Sequence, residues 1–139
     1  MAFANAEELY KIWQLTEQKV ISNEQLVASL THDDSVTCSK VPNIGATITT
    51  VCKGGKLSMI YGQPPADLKI DATTTNDDEI FVKFWQGKLN LMTAMAKGQV
   101  KSSGSTTKML KMLPKLSPIY KLFVESLMEG GRKDLVITK

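Results

Sequence analysis

The side chains that could do chemistry are few. His32 is the only histidine, and it stands beside Asp33 and Asp34 where a helical pattern gives way to an alternating one. One histidine cannot build a histidine-rich zinc site, and neither Cys38 nor Cys52 lies within ligand spacing of it. A Ser-His-Asp arrangement would call for a nucleophile elbow, and no Gly-x-Ser-x-Gly occurs. Gly54-Gly55-Lys56 lacks the upstream glycine and the following hydroxyl residue of a phosphate loop. Asp77, Asp78 and Glu79 could pass for metal ligands, but acids opening a helical stretch are explained by the positive end of the helix dipole. The two cysteines are too far apart for a Cys-x-x-Cys motif and read as buried thiols. Tyr61 and Tyr120 could offer hydroxyls to the polar end of a ligand, or sit satisfied in the core. Catalysis is not expected, nor is a metal or any other cofactor.

The elements that would position these groups follow from periodicity. Asn5 and Glu8 form a capping box ahead of Leu9, Ile12, Trp13, Thr16 and Val20, which share one helix face. Ser22 and Gln25 offer a second box, so residues 5–30 are two helices or one that bends near Ile21. From Asp34 the period becomes two. Residues 35–40 make a weak strand, 42–45 a turn, and 46–52 a firm strand rich in Thr, Ile and Val. Gly54-Gly55 turns that strand tightly into 56–61. After the Pro64-Pro65 break, Leu68, Ile70 and Ala72 alternate with polar residues and read as the clearest half-buried strand; 100–103 adds a short one. The fold class expected is α/β of the α+β type. It has a mostly antiparallel sheet of about five strands covered by helices on one face, in a single domain over 1–139.

The stretch 76–116 carries most of the apolar surplus. Asn76 caps a helix with Glu79 completing the box, Ile80, Phe81, Phe84 and Trp85 fall on one face, and Gly87 stops it. Four methionines, Met92, Met95, Met109 and Met112, lie in the next 25 or so residues. Two readings stay open: an ordinary core patched with adaptable methionine, or a cavity for an apolar ligand. In the second, the lining would be Phe81, Phe84, Trp85, Met92, Met95, Met109, Leu110, Leu113, Tyr120 and Phe123. The last helix, 118–128, is either plainly docked or a movable cover over that cavity.

The formal charge of +3 hides an asymmetry: residues 97–139 hold nine Lys or Arg and three acids. No aromatics interleave with these lysines, so nucleic acid is not an expected partner. They are a solvated face, or Lys108, Lys111, Lys115 and Lys121, with Arg132 and Lys133 nearby, meet an anionic membrane surface. No apolar run is long enough to span a bilayer. MAFANAEELYK does not read as a secretory signal, nor DLVITK as a peroxisomal or endoplasmic-reticulum address, so a cytoplasmic location is expected.

Gly87-Lys88-Leu89-Asn90, Ala94-Met95, and Gly98-Gln99-Val100-Lys101-Ser102-Ser103-Gly104, followed by a helix rich in Leu, Met and Lys, resemble the sterol carrier protein type 2 family. Gly87, Lys88, Asn90, Ala94, Gly98, Lys101, Gly104 and Lys111 stand where that family's hinge, strand and helix place them. Leu91 replaces a proline of the pattern, Ser102 an apolar strand residue, and Ser105 an aspartate whose capping ability it keeps. The resemblance covers about 68–113. It implies the family's fold and non-enzymatic binding and transfer of lipids (fatty acids, acyl-coenzyme A, sterols or phospholipids) in an apolar tunnel. The alternative is an accessory or protein-interaction module that uses the same fold.

Overall fold

The first helix, α1 (Ala6–Ile21), begins where the side chain of Asn5 accepts the Glu8 N–H at 3.0 Å. Glu8 reaches back to the N–H of Ala4 at 2.8 Å, so the box closes one residue earlier than the Asn5–Glu8 pattern suggests. The second helix, α2 (Glu24–Leu30), is separate and is capped by Asn23, which accepts from Leu26 N. Ser22 does not cap it, because its hydroxyl donates to the Gln18 carbonyl at 2.7 Å instead. The computed structural model describes residues 1–138, so Lys139, the last residue of the expected domain, lies outside them.

Five strands form one sheet: β1 (Ser35–Val41), β2 (Ala46–Lys53), β3 (Lys56–Tyr61), β4 (Ala72–Thr75) and β5 (Lys101–Gly104), in the order β3-β2-β1-β4-β5. All neighbours are antiparallel except β1 and β4. Gly54 and Gly55 link β2 to β3 with φ of 58° and 76°, the two positive values a two-residue hairpin turn requires. The strand that looked weakest, β1, is the centre of the sheet. Leu68 and Ile70, which alternate so well, are not in a strand; β4 starts at Ala72. β3 lies at one edge and β4 beyond β1, so residues 62–71 must carry the chain across the sheet and cannot also pair within it. Asp71 fastens the far end of this crossover: its N–H donates to the Val36 carbonyl and its carboxylate accepts the Val36 N–H, each at 2.8 Å. Val36, Cys38 and Thr49 are buried on the face turned away from the helices, which marks the crossover's path. That face is therefore less open than the alternation implied.

The helices lie on the other face. The third, α3 (Asp78–Phe84), is capped by Asp77, which accepts from Ile80 N at 2.9 Å; Asn76 instead donates its amide to the Asp77 carbonyl. This shift of one residue frees Asp78 to point inward. Fully buried, its carboxylate accepts from Phe3 N at 2.8 Å and from the Asn43 amide at 2.7 Å, tying the first residues and the β1–β2 turn to α3. Two short helices follow, α4 (Leu91–Ala96) and α5 (Thr106–Met112), capped by Asn90 and Ser105. The last, α6 (Ser117–Glu129), packs along α1, where Thr16 and Ser126 share a 2.9 Å hydrogen bond. Trp13, Phe81 and Phe123 meet with ring centres 5.2–6.0 Å apart and form the centre of the core. Both cysteines are buried and free; Cys38 faces the crossover and Cys52 the helices.

Candidate functional site

A cavity of about 160 Å³ lies between sheet and helices. Its floor is the inward face of four strands: Thr37 and Ser39 of β1, Ile48, Thr50 and Cys52 of β2, Leu57 and Met59 of β3, Ala72 and Thr74 of β4. Its walls come from helical stripes. In α3 and its cap, Ile80, Phe81, Phe84 and Trp85 occupy two adjacent turns on one side. In α5, Met109, Met112 and Leu113 follow the i, i+3, i+4 rule, and Leu116 and Ile119 continue the wall. Trp13, Val20 and Leu30 close the back. The Trp13 indole N–H points at Met59 Sδ, 3.1 Å away, so this buried donor has a partner within the wall. No Asp, Glu, Lys, Arg or His is among the residues bordering the cavity. Such a space can shelter apolar groups and has no acid, base or ion of its own.

Of the ten candidates from the sequence, Phe81, Phe84, Trp85, Met109 and Leu113 border this cavity. The other five do not, each for a local reason. Met92 and Leu110 are 58% and 45% exposed, because on α4 and α5 they fall one residue, about 100°, past the inward position. Met95 packs in a separate small cluster with Ile80, Ala94 and Val100. Tyr120 lies against Gly87, close enough to exclude a side chain there, with its ring edge-on to Phe84. Phe123 is fully buried between Trp13 and Phe81. The floor was missed altogether. Its signal was present in the Ser35, Thr37, Ser39 alternation of β1, but hydroxyl residues in a strand ordinarily read as the solvent side.

The covering element also differs from expectation. In α6, Phe123 and Leu127 are fully buried where the helix packs along α1, and only its first turn, at Ile119, borders the cavity, so most of this helix is core rather than cover. The roof over the cavity is α5 with the 3-10 turn Leu113–Lys115, in which Met109 is the one buried residue.

The basic residues separate into groups. Lys108 is paired with Asp71 at 3.2 Å. Together with Lys111 and Lys115 it borders a second, charged cleft with Asp33 and Asp34, parted from the apolar cavity by Leu30 and Met112, which border both. Lys121 is exposed on α6. Arg132 is not available to a membrane. It reaches Glu8 at 2.7 Å, the Ala2 carbonyl at 2.8 Å and Asp134 at 3.1 Å, clasping the two ends of the described chain.

His32 is largely exposed, 3.5 Å from Asp33. Burial, and then the Glu17 carboxylate 2.7 Å away, push the Tyr61 hydroxyl far above its ordinary range, so it stays a donor to that carboxylate. Among the described residues no group of three His, Cys, Asp or Glu is placed to hold a metal ion, and no helix is long and apolar enough to cross a membrane.

A model of the SCP-2 sterol transfer family matches residues 13–116. No curated protein matches the chain. Among solved structures, the sterol carrier protein domain 2 of Helicoverpa armigera is similar at 23% identity over 79% of this chain and 85% of that one, with a TM-score of 0.56. The UbiJ-SCP2 ubiquinone synthesis protein is similar at 10% identity over 76% and 85%, also with a TM-score of 0.56. A stereoselective inverting sec-alkylsulfatase from Pseudomonas sp. is similar at 21% identity over 69% of this chain but 14% of its own, with a TM-score of 0.52. This chain thus spans about a seventh of that enzyme's length. At such identities these likenesses are likenesses of fold.

Proposed function

The chain belongs to the SCP-2 sterol transfer family, whose members bind and transfer lipids, and from that premise we propose that it holds the apolar part of a lipid in the cavity between sheet and helices and moves it between membranes. The observation that carries this reading is an uncharged cavity of about 160 Å³ walled by aromatic and methionine side chains. Fatty acids, acyl-coenzyme A, sterols and phospholipids are the candidate cargo classes. The empty space is close to the ~150 Å³ apolar cavity that accepts benzene, and below the ~300–1,000 Å³ of most ligand sites. A lipid therefore fits only as the wall yields. Met59, Met109 and Met112 can change rotamer at low cost. The seven-residue α5, anchored by one buried side chain, can lift.

A membrane contact would deliver the cargo without passing it through water. Between Ile80 and Val124 there are eight lysines and no Asp or Glu, in the segment that supplies the cavity's roof. The exposed Met92 and Leu110 each follow a cavity-bordering residue, Leu91 and Met109, and would enter the bilayer surface beside the opening. Each lysine near an anionic surface contributes about 1 kcal/mol, less as salt rises.

Vesicle-to-vesicle transfer of a fluorescent sterol tests both parts. Transfer should be faster to anionic than to neutral acceptors, slow with salt, and slow when Lys111, Lys115 and Lys121 become Gln. Met109→Asp should abolish uptake, because an unpaired carboxylate in an apolar cavity costs several kcal/mol or stays protonated. Uptake that survives Met109→Asp in a folded protein would remove the cavity as the site. A wild-type protein that takes up no lipid would return the accessory-module reading.

A further inference from the structure

The lining contains a feature that an apolar ligand does not use. On the cavity floor, Thr37 lies opposite Thr50 in the β1–β2 register, and Ser39 lies opposite Thr74 in the β1–β4 register. Thr37 and Ser39 are two apart on β1 and so share its inward face. Across the antiparallel β1–β2 ladder, directly opposed residues on one face have Cβ atoms about 4.5–5.5 Å apart. The four hydroxyl residues therefore lie together over three strands on the cavity floor; the one other side chain with a strong polar group that borders the space is Asn76, whose amide already donates to the Asp77 carbonyl at 2.9 Å. Among the described residues none of the four hydroxyls has a protein hydrogen-bond partner, whereas the buried hydroxyls of Thr16, Thr31 and Ser126 each do. Ser35, one step further along the same face of β1, is buried outside the cavity and is not part of this group. Hydroxyls that face a cavity unpaired are available to a ligand and costly to cover with hydrocarbon.

We infer that Thr37, Ser39, Thr50 and Thr74 form a subsite for the neutral oxygen of a lipid, a hydroxyl or an ester carbonyl, which enters ahead of the hydrocarbon and rests on the sheet. This rests on the reading of the cavity as a lipid site and narrows its cargo. A hydroxyl ligand can both donate to and accept from threonine and serine, and an ester carbonyl can accept from them. An ionised carboxylate would meet no cation there, because no charged residue borders the cavity, and so would be held outside or excluded. The site thus discriminates by what its floor can hydrogen-bond, a stronger basis for selection than hydrocarbon length.

The chain's two tryptophans, Trp13 and Trp85, both border the cavity and report its occupancy by fluorescence. Titration of the full chain with 1-octanol, methyl octanoate, 1-chlorooctane and, at pH 8, octanoate tests the subsite. Octanol and the ester should bind at least tenfold more tightly than octanoate. Thr37→Val with Thr50→Val keeps shape and removes two hydroxyls. It should weaken octanol by roughly tenfold, at two- to tenfold per neutral hydrogen bond, and leave 1-chlorooctane within about twofold. If all four probes bind alike, or the Val variant keeps its affinity for octanol, the hydroxyl subsite is overturned and the lipid cavity stands. If no probe changes the fluorescence, the cavity reading fails and this inference fails with it.

Discussion

Ala72→Leu separates a real void from a filled core by the sign of its effect. Ala72 is 5% exposed, points into the cavity from β4, and has Thr37 on one side and Gly104, which has no side chain, on the other. Leu adds three carbons, worth about 0.8 kcal/mol each when buried, less roughly 0.5–1 kcal/mol of lost rotamer freedom. The net is a stabilisation of about 1.5 kcal/mol, or roughly 6 °C in Tm for a domain of this size. The same carbons take the place of about three ligand methylenes, so lipid affinity should fall by roughly fiftyfold. Were the space already filled, overpacking would instead destabilise by about 1–3 kcal/mol. Thermal melts without ligand, paired with titration of 1-octanol followed by tryptophan fluorescence, read both quantities. A lowered Tm with unchanged affinity would show that the cavity is neither empty at Ala72 nor the binding site.

Other consequences follow from the same contacts. Burial raises the proton affinity of Asp78, but the N–H of Phe3, the Asn43 amide and the N–H of Ala2 outweigh it and hold the carboxyl below its ordinary range. Its stabilisation is therefore complete above the unfolded value of about 3.9 and fades as pH falls through the lower folded value. Asp78→Ala should cost about 3 kcal/mol or more by leaving donors unpaired, and should flatten the acid limb of a stability–pH curve; an unchanged limb would sink this assignment. Gly104 has φ of +88°, and an added Cβ would run into the Asp71 carbonyl oxygen. Gly104→Ala should thus lower stability by about 1–3 kcal/mol in denaturant melts, and a neutral result would mean that the β4–β5 edge relaxes freely. In hydrogen exchange, amides of α5 should open at least about tenfold faster than those of α6, since only Met109 anchors the former. Equal protection would restore α6 as a candidate cover.

Local order was legible where it depends on neighbours in sequence. The cap at Asn5, the glycine pair at the β2–β3 turn and the helical stripe of Ile80, Phe81, Phe84 and Trp85 are each decided within a few residues. Five of the ten residues named from the sequence border the cavity, because Phe81, Phe84, Trp85, Met109 and Leu113 belong to inward helical stripes. Cap positions slipped by one residue at Asn23 and Asp77, where several adjacent side chains could each serve and packing chose among them.

By itself the sequence determined the types and approximate limits of most elements, though not the short helix α4 or the start of β4, together with a surplus of apolar side chains after β4 and a basic C-terminal third. It could not determine which face each element turns to which neighbour. The alternation at Leu68 and Ile70 satisfies the rule for a strand, yet the parallel pairing of β4 with β1 makes that segment a crossover. The amphipathic pattern of α6 suits a cover or a core helix equally, and its packing on α1 decided for core. The hydroxyls of Thr37, Ser39, Thr50 and Thr74 come from three strands and meet only because the register sets them opposite each other. Periodicity is a property of residues two to four apart, whereas a cavity is enclosed by contacts between distant parts of the chain. Its walls were therefore half visible in the sequence, and its floor existed only once the sheet was assembled.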